Sequence, residues 1–555
     1  MRAYRDNEGI CCKCTKTKGR KFLPSAELAL LLILIPAGAQ AFEIDTGNPE
    51  VKLRWDNTFK LGTIYRLKDP DPATFSQPYT SNVLPQTDDG NRNFNKGFAS
   101  GRADLLSELD ASYGSYGVRF SGAAWYDYIY HQKNDNPGFA GGGTVNHGSV
   151  AYNEFTDATQ EIMGGKVELL DAFTYGRLTV GNDMPLTYRA GRYAQVWGEA
   201  IFFGNNAIAS GMVPVDAVKA TSVPSAQVKE IIRPVGQFSA QLQVTPEVTV
   251  AAYYQFDWER TRIPASGSFL SSADHVGAGN EFFIAPGPTR IPVTNEDPHD
   301  QGQYGFMARY LFPNLDLGFY MINYHSKTPS GIYQVGPPVG QVHLVYQENI
   351  KHYAVSFNTT QLGTAIAGEF GLRTNAPLGS PPQPVPANTY DNNHNPFYSV
   401  GRTLHANLSA FYVLERNPIS DTGALIVEAA WNDVWKVTKN RQLLQPYGSE
   451  QAVAFRMVFQ NTFNNILPGL DLTVPIGASY SPAGRSLAVG GFAVDHGGDL
   501  SVGLNFDYLQ SWKFNVNYVH FYGDPGPSAA AGGIFPYDQA LRDRDFISAS
   551  IQRTF

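Results

Sequence analysis

The sequence predicts an all-β fold: a transmembrane antiparallel outer-membrane β-barrel of about 18 strands, with 16 to 18 as the acceptable range. Three observations predict it. Residues Ile547–Phe555 alternate apolar with small or polar side chains, which is the side-chain period of a strand. The same alternation begins near residue 51. Short and long connections alternate between the candidate strands, as in bacterial barrels with short periplasmic turns and long outer loops.

The N-terminus predicts export through the general secretory route. A basic stretch precedes the apolar run 28–35, and Ala39 and Ala41 frame a small-x-small cleavage site. We interpret residues 1–41 as a signal peptide that is cleaved after Ala41. A retained membrane anchor is the alternative, and the shortness of the apolar run argues against it. Residues 42–555 then form a single barrel domain.

The composition excludes several classes of protein. All three cysteines precede residue 15, so the predicted mature chain has no disulfide or thiolate metal site. Removing residues 1–41 leaves 35 basic against 47 acidic residues, a net charge of −12, which argues against nucleic acid as a partner. After residue 41 no apolar run approaches the roughly 18 residues of a membrane-spanning helix.

The connections determine the strand number. Turn signals separate the period-two segments into eight short and nine long connections in strict alternation, which gives 18 strands with both termini at the short-turn end. The short turns lie near 113–117, 180–185, 245–247, 312–315, 359–363, 414–423, 460–469 and 509–511. The long loops lie near 67–102, 131–165, 198–236, 259–302, 326–349, 374–401, 432–450, 481–499 and 523–544.

The loop 198–236 differs from the other long loops because part of it has a helical period. Its apolar residues Val228, Ile231 and Ile232 are spaced three and four apart, Ser225 is a suitable cap, and Pro234 follows. The sequence therefore predicts a short amphipathic helix. The functional interpretation is a plug or constriction folded into the lumen; the alternative is a helix on the outer rim.

The first strand places charged side chains on its inner face. Apolar residues such as Leu53 and Trp55 have one parity, and the opposite parity carries Lys52, Arg54, Asp56, Lys60 and Arg66. This basic stripe could attract anions. The alternative is structural pairing with acidic residues on other strands, namely Glu108, Asp110, Asp127, Asp257 and Glu369.

A second set of candidate lumen residues lies on the strand predicted over 186–199. Parity points its charged and aromatic residues inward, namely Arg189, Tyr193, Trp197 and Glu199. Such a ring could select solutes by size and charge. The alternative is that Arg189 and Glu199 neutralise each other or the charges of other strands. Arg192 has the outward parity, which suggests a bulge at Gly191.

No motif predicts an enzyme, a metal site or a cofactor. His325 and Ser326 are adjacent, so their side chains would point to opposite faces of a strand, and no G-x-S-x-G elbow occurs. The segments 88–91 and 391–393 supply oxygen ligands without the spacing of a calcium loop, so solvated loops are the expectation and calcium binding is the alternative. Nucleotide and zincin motifs are missing from the sequence.

Several segments resemble one family of Gram-negative outer-membrane proteins, catalogued as domain of unknown function thirteen-hundred-two. These segments are 88–94, 104–110, 191–192 with 197–199, 323–329 and 467–475. The resemblance covers nearly the whole mature chain and implies an outer-membrane barrel without supplying a substrate.

The C-terminus resembles the assembly signal of outer-membrane barrels, through Ile547, Ile551 and Phe555. Arg553 departs from that pattern, and we expect it to extend toward the lipid headgroups. The barrel-assembly machinery and outer-membrane lipid are therefore the expected partners.

The leading functional hypothesis is a channel for passive or gated passage of solutes, filtered by the loop 198–236. One alternative is a conduit or receptor for apolar molecules such as lipids or sterols, working with an inner-membrane exporter. The apolar segments 201–203 and 268–270 would suit that alternative. A second alternative is a structural or adhesive barrel with a closed lumen.

Overall fold

The computed structural model describes residues 42–75, 87–138, 149–181, 183–224, 226–284, 289–336, 339–387, 389–416 and 420–555. The predicted signal peptide, with Ala39, Ala41 and the three cysteines, lies outside the described residues, as does Ser225.

The described chain forms a closed antiparallel barrel of 18 strands, which confirms the predicted fold class. Each strand pairs with the next along the chain, and the last strand pairs with the first through Tyr65 and Ile547. The strands are β1 (Val51–Arg66), β2 (Gly97–Tyr113), β3 (Tyr116–Asp127), β4 (Gly165–Val180), β5 (Met184–Tyr193), β6 (Val235–Gln243), β7 (Val248–Gln255), β8 (Gln303–Phe312), β9 (Leu315–Tyr324), β10 (Ile350–Gln361), β11 (Thr364–Pro377), β12 (Val400–Leu414), β13 (Thr422–Lys439), β14 (Gln451–Leu467), β15 (Leu470–Ala483), β16 (Gly498–Tyr508), β17 (Trp512–Tyr522) and β18 (Phe546–Thr554).

The connections alternate in length as the sequence predicts. Eight of them have 2 to 7 residues and nine have 11 to 47. Glycine permits one of the two-residue turns, because Gly469, between β14 and β15, has a φ of +75°. All short turns therefore lie at one end of the barrel and all long loops at the other.

The two faces of the wall differ in chemistry. Side chains that point outward are large, apolar and exposed; examples are Leu105, Phe306, Phe319, Leu408 and Val502. Side chains of the opposite parity include buried polar and charged groups such as Lys60, Glu369 and Glu428. An apolar exterior around a polar interior is the pattern of a barrel that spans a lipid bilayer.

Smaller elements lie outside the barrel wall. A three-residue strand, Phe42–Ile44, pairs with β1 at the short-turn end. Five short strands from the long loops form a second sheet: Glu281–Ile284, Thr289–Glu296, Gly331–Val335, Gln341–Val345 and Gln383–Val385.

The helices are single turns or little more. The α-helices are α1 (Asp89–Arg92), α2 (Asp157–Thr159), α3 (Ala217–Ser222) and α4 (Val228–Ile231). A π turn covers Gln160–Gly164, and 3₁₀ turns cover Pro72–Thr74, Ile129–His131, Ile208–Gly211, Arg441–Leu443 and Ala531–Gly533. Within the described ranges, no helix has the length and apolar character needed to cross a bilayer.

The long loops have a hydrophobic core of their own above the barrel. Members come from the connections after β1, β3, β5 and β7 and from the wall below them: Ile64, Phe94, Ala99, Tyr130, Phe155, Met163, Val218, Ala265, Phe269, Leu270 and Phe546. The fully buried Arg66 ties this core to the wall through an ion pair of 2.9 Å with Asp543. The apolar segment 268–270 therefore contributes to loop packing.

Arg553 does not extend to the headgroups as expected. Its side chain is buried, and its guanidinium lies 5.0 Å from the ring centre of Trp512, its cross-strand neighbour on β17. A cation over an indole face is stabilised by the ring quadrupole, so the neighbouring strand accommodates the charge. Ile547 and Ile551 lie on β18, and Phe555 exchanges backbone hydrogen bonds with Asn57.

The burial of Lys327 predicts that the stability of the barrel depends on pH. Burial lowers its pKa from 10.5 to about 7, and its Nζ donates to Gln303 at 2.9 Å. Between pH 7 and 10.5 the unfolded chain binds the extra proton, so stability should rise with pH across that window. Lys327→Met should therefore raise the temperature of heat-induced gel-mobility shift by several degrees at pH 6, and the gain should shrink toward pH 10. The exposed Lys133→Met is the control; equal gains at both pH values would contradict the prediction.

Candidate functional site

One long connection crosses the lumen. We call residues 194–234, between β5 and β6, the inner segment. It contacts lumen-facing side chains on β1, β2 and β4 and, on the other side of the barrel, on β10 to β14. Since β2 and β12 lie nearly opposite each other in an 18-strand ring, the inner segment spans the interior from wall to wall.

Two wall carboxylates bind the backbone of the inner segment. Glu428 on β13 accepts N–H bonds from Ile201 at 3.0 Å, from Phe203 at 3.4 Å and from Phe202 between them. Glu369 on β11 accepts from the backbone N–H groups of Glu199 at 3.1 Å and Ile208 at 3.0 Å. We call Glu369 and Glu428 the carboxylate latch. Each buried N–H group that finds an acceptor avoids the cost of an unsatisfied donor, so these contacts fix residues 199–208 at the wall.

Neighbouring polar groups complete this attachment. Arg373 on β11 donates to the carbonyl oxygens of Asn206 and Ala207, both at 2.9 Å. The Asn206 side chain donates to Asn407 at 2.8 Å and contacts His405 at 2.9 Å. The backbone donors and acceptors of this stretch, which would otherwise be buried without partners, are thereby satisfied.

Ion pairs hold the inner segment at the opposite wall. Glu168 on β4 binds Lys219 at 3.0 Å and Arg262 at 2.6 Å, and Arg262 also binds Asp216 at 2.5 Å. Lys219 and Arg262 lie 5.0 and 5.6 Å from the ring centre of Trp125 on β3. We call this group the ion-pair latch. It joins the inner segment to the wall and to the loop that contains Arg262.

The predicted helix of the inner segment is present but short. It covers Val228–Ile231, and its N-cap residue is Gln227, whose N–H donates to Glu230 at 3.0 Å. The apolar residue Val228 is exposed, whereas Ile231 and Ile232 are partly buried. The charged neighbours make the wall contacts instead: Lys229 pairs with Glu108, and Glu230 lies 3.6 Å from Lys60. In a polar lumen, charge pairing rather than an apolar face positions this helix.

Four of the five predicted charged residues of the first strand form ion pairs. Arg54 pairs with Asp56 at 2.7 Å, Lys60 with Glu230, and Arg66 with Asp543. Lys52 is exposed at the short-turn end. Among the described residues, the ion pairs of this stripe thus come from its own strand, the inner segment and the last long loop, and not from Asp127, Asp257 or Glu369.

The second set of predicted lumen residues is divided between strand and loop. The strand ends at Tyr193, so Trp197 and Glu199 belong to the inner segment. Tyr193 donates to Ser239 at 2.6 Å, and Arg189 lies 5.9 Å from the ring of Phe173. Trp197 packs against Tyr253 and Tyr320. Burial raises the pKa of the Glu199 carboxyl, which contacts Asn358 at 3.2 Å and Arg309 at 3.9 Å, and not Arg189.

The expected bulge at Gly191 does not occur in the described pairing. The register of β5 with β4 and with β6 runs without a shift through this glycine, although its φ is +128°. Arg192 therefore has the outward parity, and it is matched by Asp257 at 3.5 Å and Glu259 at 3.3 Å. The charge of Arg192 is therefore neutralised near the strand end, and no bulge rotates its side chain into the lumen.

Sequence reasoning missed most of the latch residues. The latch residues that were not among the candidates are Glu428, Glu168, Asp216, Lys219 and Arg262. Glu369 was expected to pair with the basic stripe. A signal existed for Glu428, because it lies on the inward parity within the otherwise apolar stretch 423–431. Asp216 and Lys219 lie in a loop, where parity gives no direction.

Two motifs that were considered as a hydrolytic pair and as a calcium loop make structural contacts instead. Ser326 donates to the carbonyl of Thr328 at 2.6 Å, and His325 contacts Gln301 O and Asn349 N, so the two do not form a hydrolytic pair. Asp88 and Asp89 are buried rather than solvated, and their carboxylates lie within 4.8 Å of one another and of Asp274.

This acidic group already has protein partners. Arg92 pairs with Asp88 at 2.9 Å, and the backbone N–H groups of Asp88 and Asp89 donate to Asp274. The three carboxylates are of the type that could hold a hard cation.

The fold and the inner segment define a barrel whose lumen is crossed by one of its own loops. The chain belongs to the family described as protein of unknown function DUF1302, whose model matches residues 23–555. The resemblance inferred from the motifs is thereby confirmed. No curated protein matches the chain in sequence.

Solved barrels are similar to this chain at low identity. Acinetobacter baumannii OccAB4 is 11% identical over 92% of this chain and 100% of its own, with a TM-score of 0.41. Pseudomonas aeruginosa OccK2 (OpdF) in complex with glucuronate is 11% identical over 93% and 99%, with a TM-score of 0.39. Salmonella typhi OmpF in complex with daunomycin is 9% identical over 93% and 100%, with a TM-score of 0.35.

Removing a hydrogen-bond acceptor of the carboxylate latch should loosen the inner segment at the residues that this acceptor binds. In Glu428→Gln, one side-chain oxygen becomes an NH₂ group, while both oxygens of the native carboxylate accept hydrogen bonds. A charge-assisted bond contributes about 1.5–3 kcal/mol, so amide exchange at Ile201–Phe203 should accelerate about tenfold or more. Hydrogen exchange read by mass spectrometry measures this.

The matched control is Glu161→Gln, which removes a more exposed pair with Lys166 outside the inner segment. It should leave the exchange of residues 201–203 unchanged. Glu369→Gln should act instead at Glu199 and Ile208. Unchanged exchange in both latch variants would show that other contacts hold the segment.

Proposed function

We propose that this protein is an outer-membrane channel through which solutes move down a concentration gradient, filtered or gated by the inner segment. The apolar exterior suits a bilayer, and the predicted signal peptide suits export to the outer membrane. A barrel of 18 strands is wide enough to leave an aqueous interior unless loops fill it.

The observation that carries the proposal is the placement of the inner segment. It is fixed at both walls by the carboxylate latch and the ion-pair latch, so it narrows the lumen at a defined position. A loop that served only adhesion would have no reason to bind the barrel interior through buried charges. The attachment is noncovalent throughout, which is compatible with a movement that widens the passage.

A second candidate function is a conduit for apolar molecules, and one observation favours it. Strand pairing places four apolar residues side by side on the lumen face of β11 to β14: Ala365, Phe411, Ile426 and Val458. Phe411 is 39% exposed, and Ile201 of the inner segment is 49% exposed. Exposed apolar surface inside a lumen can bind apolar parts of a ligand.

Conductance tests the leading proposal. Residues 42–555 refolded into a planar bilayer should give discrete current steps. A variant with a short Gly-Ser linker in place of residues 196–232 should give steps several times larger, because the linker cannot reach the opposite wall. Replacing the outer hairpin 332–344 is the control, and it should leave the step size unchanged.

The heat-induced gel-mobility shift shows that each variant has folded. If the native chain gives no current steps and the linker variant gives large ones, the result would support a closed, gated state. If neither folded protein gives current steps, the channel proposal would be overturned and a structural or adhesive barrel would be favoured.

The second candidate predicts bound lipid. Protein extracted in mild detergent should carry lipid detectable by mass spectrometry, and Ile426→Asn should reduce it. The control is Ile476→Asn on the outward face, which should leave lumenal lipid unaffected. Equal lipid content in all three proteins would exclude a specific lumenal site.

A further inference from the structure

A polar cavity of about 590 Å³ lies in the lumen beside β4 to β7, next to the start of the inner segment. Its lining includes two arginines, three neutral hydrogen-bonding residues and one indole, namely Arg177, Arg189, Thr187, Gln195, Ser239 and Trp197. No carboxylate is among the residues that line it. A cavity of this size accommodates a small solute.

The strand register brings the two arginines together. Arg177 on β4 is paired with Thr187 on β5, and Arg189 is two residues further along the same strand. Diagonal neighbours of this kind lie about 7–8 Å apart, so both guanidinium groups can reach one anionic group between them. Each guanidinium offers a planar fork of donors that matches a carboxylate.

The charge of this pair is not compensated by the protein. In the described part of the chain, neither Arg177 nor Arg189 has a carboxylate within 4.0 Å, and Arg189 instead faces the ring of Phe173. Other arginines on the lumen face do have such a partner: Arg54, Arg119, Arg309 and Arg456.

A carboxylate that contacts one of the lining residues, Tyr175, already has partners. Asp110 accepts a hydrogen bond from Tyr175 at 2.9 Å and lies 3.9 Å from Arg119. Two adjacent cations without a counter-charge repel each other, and an arriving anion removes that repulsion.

The remaining polar groups favour a hydroxylated body on the anion. Ser239 and Thr187 supply hydroxyl groups, and Gln195 supplies an amide. These groups both donate and accept, so they suit alcohols better than a second charge. The ring of Trp197 offers an apolar surface for the carbon skeleton.

We infer that this cavity is a binding subsite for small hydroxylated carboxylates, held by Arg177 and Arg189. The inference rests on the proposed channel and names its class of solute. Binding at this subsite would place the anion at the lumen face of β4 and β5, beside the point where the inner segment leaves the wall.

Equilibrium binding tests the subsite without reference to conductance. The probes are radiolabelled gluconate and sorbitol, which share a six-carbon hydroxylated chain and differ in the carboxylate. In dialysis against protein in lipid nanodiscs, gluconate should bind more tightly than sorbitol. Arg177→Gln and Arg189→Gln should each raise the Kd of gluconate about tenfold, the effect of one charge-assisted hydrogen bond.

The matched control is Lys513→Gln, which removes a lumen-facing cation of the same charge on β17, near Asp507. It should leave gluconate binding unchanged. Equal affinity for gluconate and sorbitol, or native affinity in the double variant Arg177→Gln with Arg189→Gln, would overturn the inference.

Bilayer currents separate this inference from the proposed function. Added gluconate should interrupt the current of the native channel, and the double variant should lose these interruptions. Binding of gluconate would support the subsite, and absence of current from both the native chain and the linker variant would at the same time overturn the channel. Conductance together with equal binding of both probes would support the channel and overturn the subsite.

Discussion

The position of the inner segment in the lumen depends on one interaction. Its backbone N–H groups donate hydrogen bonds to buried carboxylates of the wall. A long loop inside a barrel carries many N–H and C=O groups, and each one buried without a partner destabilises the fold. Glu428 accepts from three successive N–H groups, and Glu369 accepts from two more. Because these acceptors are fully or largely buried, water competes weakly for the donors.

The two latches differ in their physical character. The carboxylate latch uses hydrogen bonds to backbone, whereas the ion-pair latch uses charged side chains gathered around Trp125. Removing one member of a buried ion pair leaves its partner charged and uncompensated, which is costly. The ion-pair latch also includes Arg262, which belongs to the loop between β7 and β8. Displacement of the inner segment on this side would therefore disturb that loop as well.

The sequence predicted the wall well because the wall is encoded locally. Period-two alternation and turn residues act over a few positions, and they determine strand number and sidedness. The interior was harder to predict, because its contacts join distant residues: Phe202 and Glu428 are 226 positions apart. The alternation along the strand could show that Lys60 points inward, but it could not show that Glu230 would lie beside it. The strand predicted over 186–199 was too long for the same reason, since contacts of Trp197 with distant strands end it early.

Attachment through the backbone separates the position of the constriction from its chemistry. Glu428 binds N–H groups that every residue except proline possesses, so the side chains at 201–203 can change without loss of these bonds. The lumen surface offered to a solute is thus free to vary while the loop stays in place. The uncompensated Arg177 and Arg189 lie on the rigid wall instead, where strand register fixes their spacing. A family with this architecture could alter the shape of the passage through the loop and its charge through the wall, each without disturbing the other.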